Sequence, residues 1–146
     1  MALLTISQAQ TYFDGRMFTQ SWDRASSTDQ GKAITHATRI VNNLQYHGIK
    51  TDPNQDDEFP RDSKPIPQDV LDAIAEIALS LLDGIDPERE REAFNVTSTN
   101  YSGVKATYSR DFGQLAISAG VPSRAAWDLL QKYLIDPSAV KIVRVS

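Results

Sequence analysis

The stretch Pro67-Gln68-Asp69-Val70-Leu71-Asp72-Ala73-Ile74-Ala75-Glu76-Ile77-Ala78-Leu79-Ser80-Leu81-Leu82 decides the fold. Proline stands where a first helical residue belongs, and from Val70 onward apolar side chains fall on nearly every side of the helix. A helix apolar all round is a buried one, so 67–82 is expected to form the centre of the molecule, closed by Asp83-Gly84. It contains Asp72 and Glu76 and falls short of the ~20 apolar residues that a membrane span needs. Glu76 stands mid-helix, where an unpaired carboxylate is costly. Arg39 on the preceding helix or Arg61 after Phe59-Pro60 is expected to pair with it, as a structural ion pair rather than a catalytic acid.

Working outward, Ser27 and Gln30 form a capping-box pattern ahead of Ala33, Ile34, Ala37, Ile40, Val41 and Leu44 at helical spacing. This predicts an amphipathic helix over 28–45, ended by Gly48. A shorter helix is expected over 7–13, capped by Thr5 or Ser7 and stopped by Gly15, with Trp22 following in a short polar segment. Residues 49–66 carry Pro53, Pro60 and Pro65 among four acidic residues at 52–58 and read as a long loop. Beyond the central helix, 86–92 reads as a charged connector. Residues 94–99 and 104–109 are rich in β-branched and aromatic types on either side of Asn100-Tyr101-Ser102-Gly103, which predicts a β-hairpin. A last helix is expected over 122–134, stopped by Asp136-Pro137. The tail residues Val140, Lys141, Ile142, Val143, Arg144 and Val145 have strand propensity without a neighbouring partner strand. The expected fold class is mainly α: a small bundle of about four helices with a β-hairpin and an extended C-terminal tail. Its expected organisation is a helical domain over 1–135, with the hairpin at 94–109, and an extended docking tail over 136–146.

A chain of 146 residues suits one domain, and 15 Lys and Arg against 19 Asp and Glu leave a net charge of −4. That balance offers no obvious basic face, so nucleic acid is a poor default partner. The absence of cysteine excludes a disulfide framework, a thiolate metal site and a thiol nucleophile. The first residues lack the basic and apolar regions of an export signal, so synthesis in a cytoplasm is expected. His36 and His47 would lie about 16 Å apart along one helix and cannot share a metal there. Asp52-Pro53-Asn54-Gln55-Asp56 opens like a calcium loop, but Asp57 and Ser63 occupy the positions that call for Gly and Glu. The seven glycines are scattered and form no phosphate-binding loop. No catalytic residue, metal or cofactor is nominated, and an enzyme is not expected. Tyr12, Phe13 and Trp22 read as core, since the neighbouring Asp14, Arg16, Asp23 and Arg24 cancel in charge.

The order Tyr12-Phe13, Trp22, Ala37-Thr38-Arg39, Gly48, Lys50, Phe59-Pro60-Arg61, Ile66-Pro67, Ala75-Glu76, Leu129-Leu130 and Tyr133-Leu134 carries a resemblance. Over residues 5–134 the chain resembles the small head-tail adaptor, or head-completion, proteins of tailed bacteriophages, in the branch often labelled DnaT-like single-stranded-DNA-binding. Phe59-Pro60-Arg61, between an acidic loop and Ile66-Pro67, is the most specific piece. The resemblance implies a virion protein of the phage neck, forming a homo-oligomeric, dodecameric ring that joins the portal protein to a tail or stopper protein. DNA would pass through the channel without specific binding, which suits an acidic protein. The tail Val140 to Val145 would dock on the portal by strand addition. Tyr101, Ser102, Gly103 and Lys105 would contact a neighbouring subunit or the tail. The alternative is a single-stranded-DNA-binding replication accessory protein; a small hydrolase using Glu76 is a third reading.

Overall fold

The computed structural model describes residues 3–100 and 112–135. Within them the chain forms α1 (Ile6–Asp14), α2 (Gln20–Arg24), α3 (Ser27–Asn42), α4 (Gln68–Leu82), α5 (Pro87–Asn100), α6 (Phe112–Ala119) and α7 (Arg124–Leu130). The last runs into a 3-10 turn at Gln131–Tyr133. Among the described residues β-pairing is limited to two isolated bridges, Tyr46 with Leu134 and Lys50 with Arg61.

The apolar stretch is the centre, as its pattern requires. Val70 and every residue from Ala73 through Leu79 are buried in α4, and α3 and α7 pack along it with α1 and α2 at its sides. Alanines at 73, 75 and 78 are fully buried, and such short side chains let neighbouring helices approach closely. Pro67 serves as the N-cap rather than as the first helical residue.

At the N-terminus Thr5 and Gln8 form a reciprocal capping box, with Thr5 Oγ1 accepting from the Gln8 N–H at 3.1 Å and Gln8 Oε1 accepting from the Thr5 N–H at 2.9 Å. This fixes α1, whose Phe13 stacks tilted against Trp22 with ring centroids 4.8 Å apart. Trp22 is fully buried, and its indole N–H donates to Gln10 Oε1 at 2.8 Å. It belongs to α2, a short helix in what reads from the sequence as a short polar segment. The cap of α3 is Ser26, one residue before the expected box. Gln30 instead donates from its side chain to the Trp22 carbonyl, tying α3 to α2.

Three expectations are corrected. The hairpin expected over 94–109 is absent from its first half, because residues 94–100 continue α5. The supposed charged connector is the start of that helix: Asp86 Oδ1 accepts from the Glu88 N–H, Pro87 is the first helical residue, and Glu88 and Glu90 face the positive end of the helix dipole. Once nucleated, a helix crosses β-branched residues such as Val96 and Thr97 at a cost of only tenths of a kcal/mol each, roughly. The remaining hairpin residues lie outside the described ones. The last helix is shorter than the expected 122–134 and follows another. α6 was not expected, and α7 begins at Arg124, where Ser123 accepts from the Ala126 N–H. Tyr133 and Leu134 have left the helix. There the chain runs extended beside Tyr46, with the His47 N–H donating to the Tyr133 carbonyl at 3.0 Å and the Ile135 N–H to the Gln45 carbonyl at 3.1 Å. Seven helices therefore stand, among the described residues, where about four were expected.

Candidate functional site

Three groups of residues bear on a site: Glu76, the acidic loop, and the Phe59-Pro60-Arg61 segment that carried the resemblance. Glu76 is 4% exposed and fully engaged. Its Oε2 accepts from the Tyr12 hydroxyl at 2.5 Å and from Arg16 Nε at 2.6 Å, and its Oε1 accepts from Arg16 Nη2 at 3.0 Å. The partner is thus Arg16 at the end of α1, and neither Arg39 nor Arg61 takes that place. Arg39 is exposed on α3. Arg61 pairs with Glu58 at 2.9 Å. Burial would lower the Arg16 pKa, but the hydrogen bond and charge of Glu76 more than offset it and the guanidinium is held above its ordinary value. Burial and the Glu76 carboxylate push the Tyr12 hydroxyl far up, so it stays protonated and donating. With its oxygens held in this way, Glu76 is a structural group rather than a free acid or base.

The acidic loop is spent on its own folding. Asp52 Oδ1 accepts from the Asn54 N–H, and Asp57 Oδ1 accepts from Asn42 Nδ2 at 2.7 Å while Asn42 Oδ1 accepts from the Glu58 N–H. Among the described residues no three His, Asp or Glu side chains are placed to hold a metal ion.

Arg61 organises the third group. Its guanidinium donates to the carbonyls of Tyr46, His47, Gly48 and Glu58 and to the Glu58 carboxylate. Asp62 and Ser63 follow at φ +56° and +58°, a left-handed conformation costly for side chains with a Cβ. Asp62 is held there because its carboxylate accepts from the Ile49 N–H at 3.0 Å. That carboxylate lies against Gly48, at φ +84°, where any Cβ would collide with it. The sequence from 46 to 63 therefore closes on itself, with the Phe59 ring edge-on to Tyr46 at 4.8 Å in the core below. Burial and the Glu58 charge push the Tyr46 hydroxyl far up, and it donates to the Val41 carbonyl at 2.7 Å.

Between this closed loop and the turn at 131–134 lies a cleft of about 230 Å³. His47, Arg61, Lys64 and Lys132 line it with Tyr133, and Asp62 is the one acidic side chain in its lining. His47 and Lys64 are exposed, and Lys64 has no ion pair among the described residues. Lys132 Nζ lies 2.5 Å from Asp69 and 5.7 Å from the Tyr133 ring centroid. Its hydrogen bond to Asp69 holds the ammonium above its ordinary pKa, so it is charged. Cations beside a partly exposed aromatic ring are the elements that hold a single strand, by phosphate attraction and base stacking.

The sequence signalled only part of this. Arg61 was singled out, but as a partner for Glu76. Lys64, Lys132 and Tyr133 were not nominated, because they come from distant parts of a chain whose total charge is negative. The one signal was the specificity of the Phe59-Pro60-Arg61 segment. The proposed contacts at Tyr101, Ser102, Gly103 and Lys105, and the docking tail from Val140 to Val145, lie outside the described residues.

A family model described as "Putative DnaT-like ssDNA binding protein" matches residues 2–145. Neither the curated proteins nor the solved structures gave a match to this chain.

Proposed function

The chain belongs to this DnaT-like family, and from that premise we propose that it binds single-stranded nucleic acid, without catalysis, in the cleft between the 46–63 loop and the 131–134 turn. One observation carries the proposal. Lys64, with no ion pair among the described residues, lines the cleft with His47, Tyr133 and the ion-paired Arg61 and Lys132, against Asp62 as the one acid of the lining, in a protein whose overall charge is −4. Arg61 builds the wall; His47, Lys64 and Lys132 meet phosphates, and Tyr133 offers a ring edge or face to a base. Few phosphates are neutralised, so binding is modest and its salt slope shallow, on the order of two to three released counterions.

Fluorescence anisotropy of a labelled oligothymidylate across a salt series tests this. The wild-type protein should bind at low salt with a clear slope. A Lys64→Glu/Lys132→Glu variant should lose at least about tenfold in affinity, and Tyr133→Ala about 1–3 kcal/mol. Binding that survives the charge reversal unchanged would place the nucleic acid elsewhere; no binding at low salt would remove the proposal.

The net acidity favours a second reading, the phage-neck adaptor. A ring around passing DNA works better without a grip on phosphate, and an extended C-terminal tail would serve portal docking. In this reading the protein is a structural virion component of the neck between portal and tail. Co-sedimentation with tail-less heads carrying only the portal separates the two. Stoichiometric, portal-dependent binding that is lost on deleting 136–146 supports the adaptor, and its absence in a folded protein removes it.

A further inference from the structure

A second cleft, of about 200 Å³, opens between α3, the start of α5 and the turn that joins α6 to α7. His36 and Arg39 line it from successive turns of α3, Asn43 from the C-cap of that helix, and Arg91 from α5. Arg91 is placed there at a cost. The side chain as a whole is 38% exposed, but its Nε is buried and has no hydrogen-bond partner, and its Nη1 meets Glu88 only at 3.7 Å, through a carboxylate side chain 77% exposed. A buried, unpaired N–H on a charged group is unfavourable and calls for an acceptor. The guanidinium lies against Gly120, at φ +85°, where a Cβ would collide with Nη2. Arg39 and His36 are exposed and make no ion pair among the described residues. Two carboxylates also border the cleft. Asp86 is engaged in capping the Glu88 N–H at 3.0 Å, and Glu88 is held too loosely to saturate Arg91.

We propose that this cleft is a seat for a phosphoryl group, bound between the guanidinium groups of Arg39 and Arg91 with Asn43 and His36 as further donors. A phosphoryl oxygen takes the place of the Glu88 carboxylate, and a small rotation of Arg91 brings Nε into the contact. Arg suits this role because its fork of N–H groups matches phosphoryl oxygens in pairs. Asn43 stands four residues before His47, at the same end of α3 as the first cleft. The source of the phosphoryl group rests on the reading above: a strand held in the first cleft presents its own backbone phosphate here, and otherwise the ligand is free phosphate.

Arginine Nε–H signals of the full chain, followed by 15N–1H spectroscopy during titration with inorganic phosphate, test the seat directly. The Arg91 signal should shift along a saturating curve in the millimolar range, and the Arg39→Gln variant, changed at an exposed position, should remain folded and lose that saturation. Sodium chloride at matched ionic strength should not reproduce the shift. Oligothymidylates of about 4 and about 12 nucleotides then separate the sources. Arg91→Gln should remove the several-fold advantage of the longer one and leave the shorter one unaffected. Saturation by phosphate with no binding of either oligonucleotide assigns the seat to free phosphate and defeats the single-strand reading alone. A shift that never saturates, or that chloride reproduces, overturns the seat even where oligonucleotides bind in the first cleft.

Discussion

Replacing Glu76 with alanine is expected to lower stability by about 3–5 kcal/mol, because it removes one member of a buried ion pair and strands the other. The Arg16 side chain, 31% exposed, loses its carboxylate and keeps the Met17 and Phe18 carbonyls as acceptors, and the Tyr12 hydroxyl loses the acceptor it has in Glu76. For a chain of this size the loss corresponds to a fall in melting temperature of about 10 °C or more. Glu76→Gln should fall between, since an amide oxygen still accepts from one donor but offers no charge to Arg16. The informative comparison is the joint replacement of Tyr12 by Phe, Arg16 by Met and Glu76 by Leu. Removing the three polar groups together leaves no buried charge unpaired, and the Met17 and Phe18 carbonyls that lose the Arg16 donor belong to exposed residues, so much of the lost stability should return. Thermal and urea unfolding of the four proteins gives the answer. A Glu76→Ala variant within about 1 kcal/mol of the parent would mean that water reaches and satisfies Arg16 and Tyr12, and that the pair contributes nothing net.

The same residue shows where sequence reasoning stops. That α4 is buried, and that Glu76 within it needs a cation, follows from one-dimensional pattern, since apolar residues on every side leave the carboxylate no route to water. The identity of the cation does not follow. Arg16 is 60 residues away and reaches Glu76 because α1, fixed by its Thr5 and Gln8 cap and packed on α2 through Phe13 and Trp22, also packs against α4. Local composition misled at 94–100, where Val96, Thr97 and Thr99 suggested strand, while Asp86, Pro87, Glu88 and Glu90 several residues earlier had already started a helix. Charge misled in a different way. A net charge is a sum over the chain and carries no information on arrangement. The cleft gathers Lys64 with Lys132 across 68 positions because the Tyr46 and Leu134 bridge brings their segments together.

Beside that bridge the loop is organised by Arg61, which donates to the Tyr46 and His47 carbonyls, and its replacement by alanine is expected to cost about 3 kcal/mol and to open the loop rather than the helical core. Hydrogen bonds from a charged donor are worth roughly 1.5–3 kcal/mol each, but the carbonyls of His47 and Gly48 are near water and recover part of the loss. The larger effect is conformational. Without the guanidinium the carbonyls of Tyr46, His47, Gly48 and Glu58 no longer share a donor, and the left-handed backbone at Asp62 and Ser63 is held only by their hydrogen bonds to Ile49 and Thr51. Limited proteolysis should move to 52–57 while helical content, carried by α1, α3, α4 and α7, stays near that of the parent. Arg61→Lys should behave almost like alanine, because one ammonium cannot donate in the directions that a planar fork reaches. The two consequences are linked through the cleft. If Lys64 and Lys132 hold a strand only when Arg61 shapes the wall between them, oligonucleotide affinity must fall in parallel with protease resistance across Arg61→Ala and Arg61→Lys. Affinity retained by an opened loop would show instead that the cations bind from a flexible segment, and that the shape of the cleft has no part in recognition.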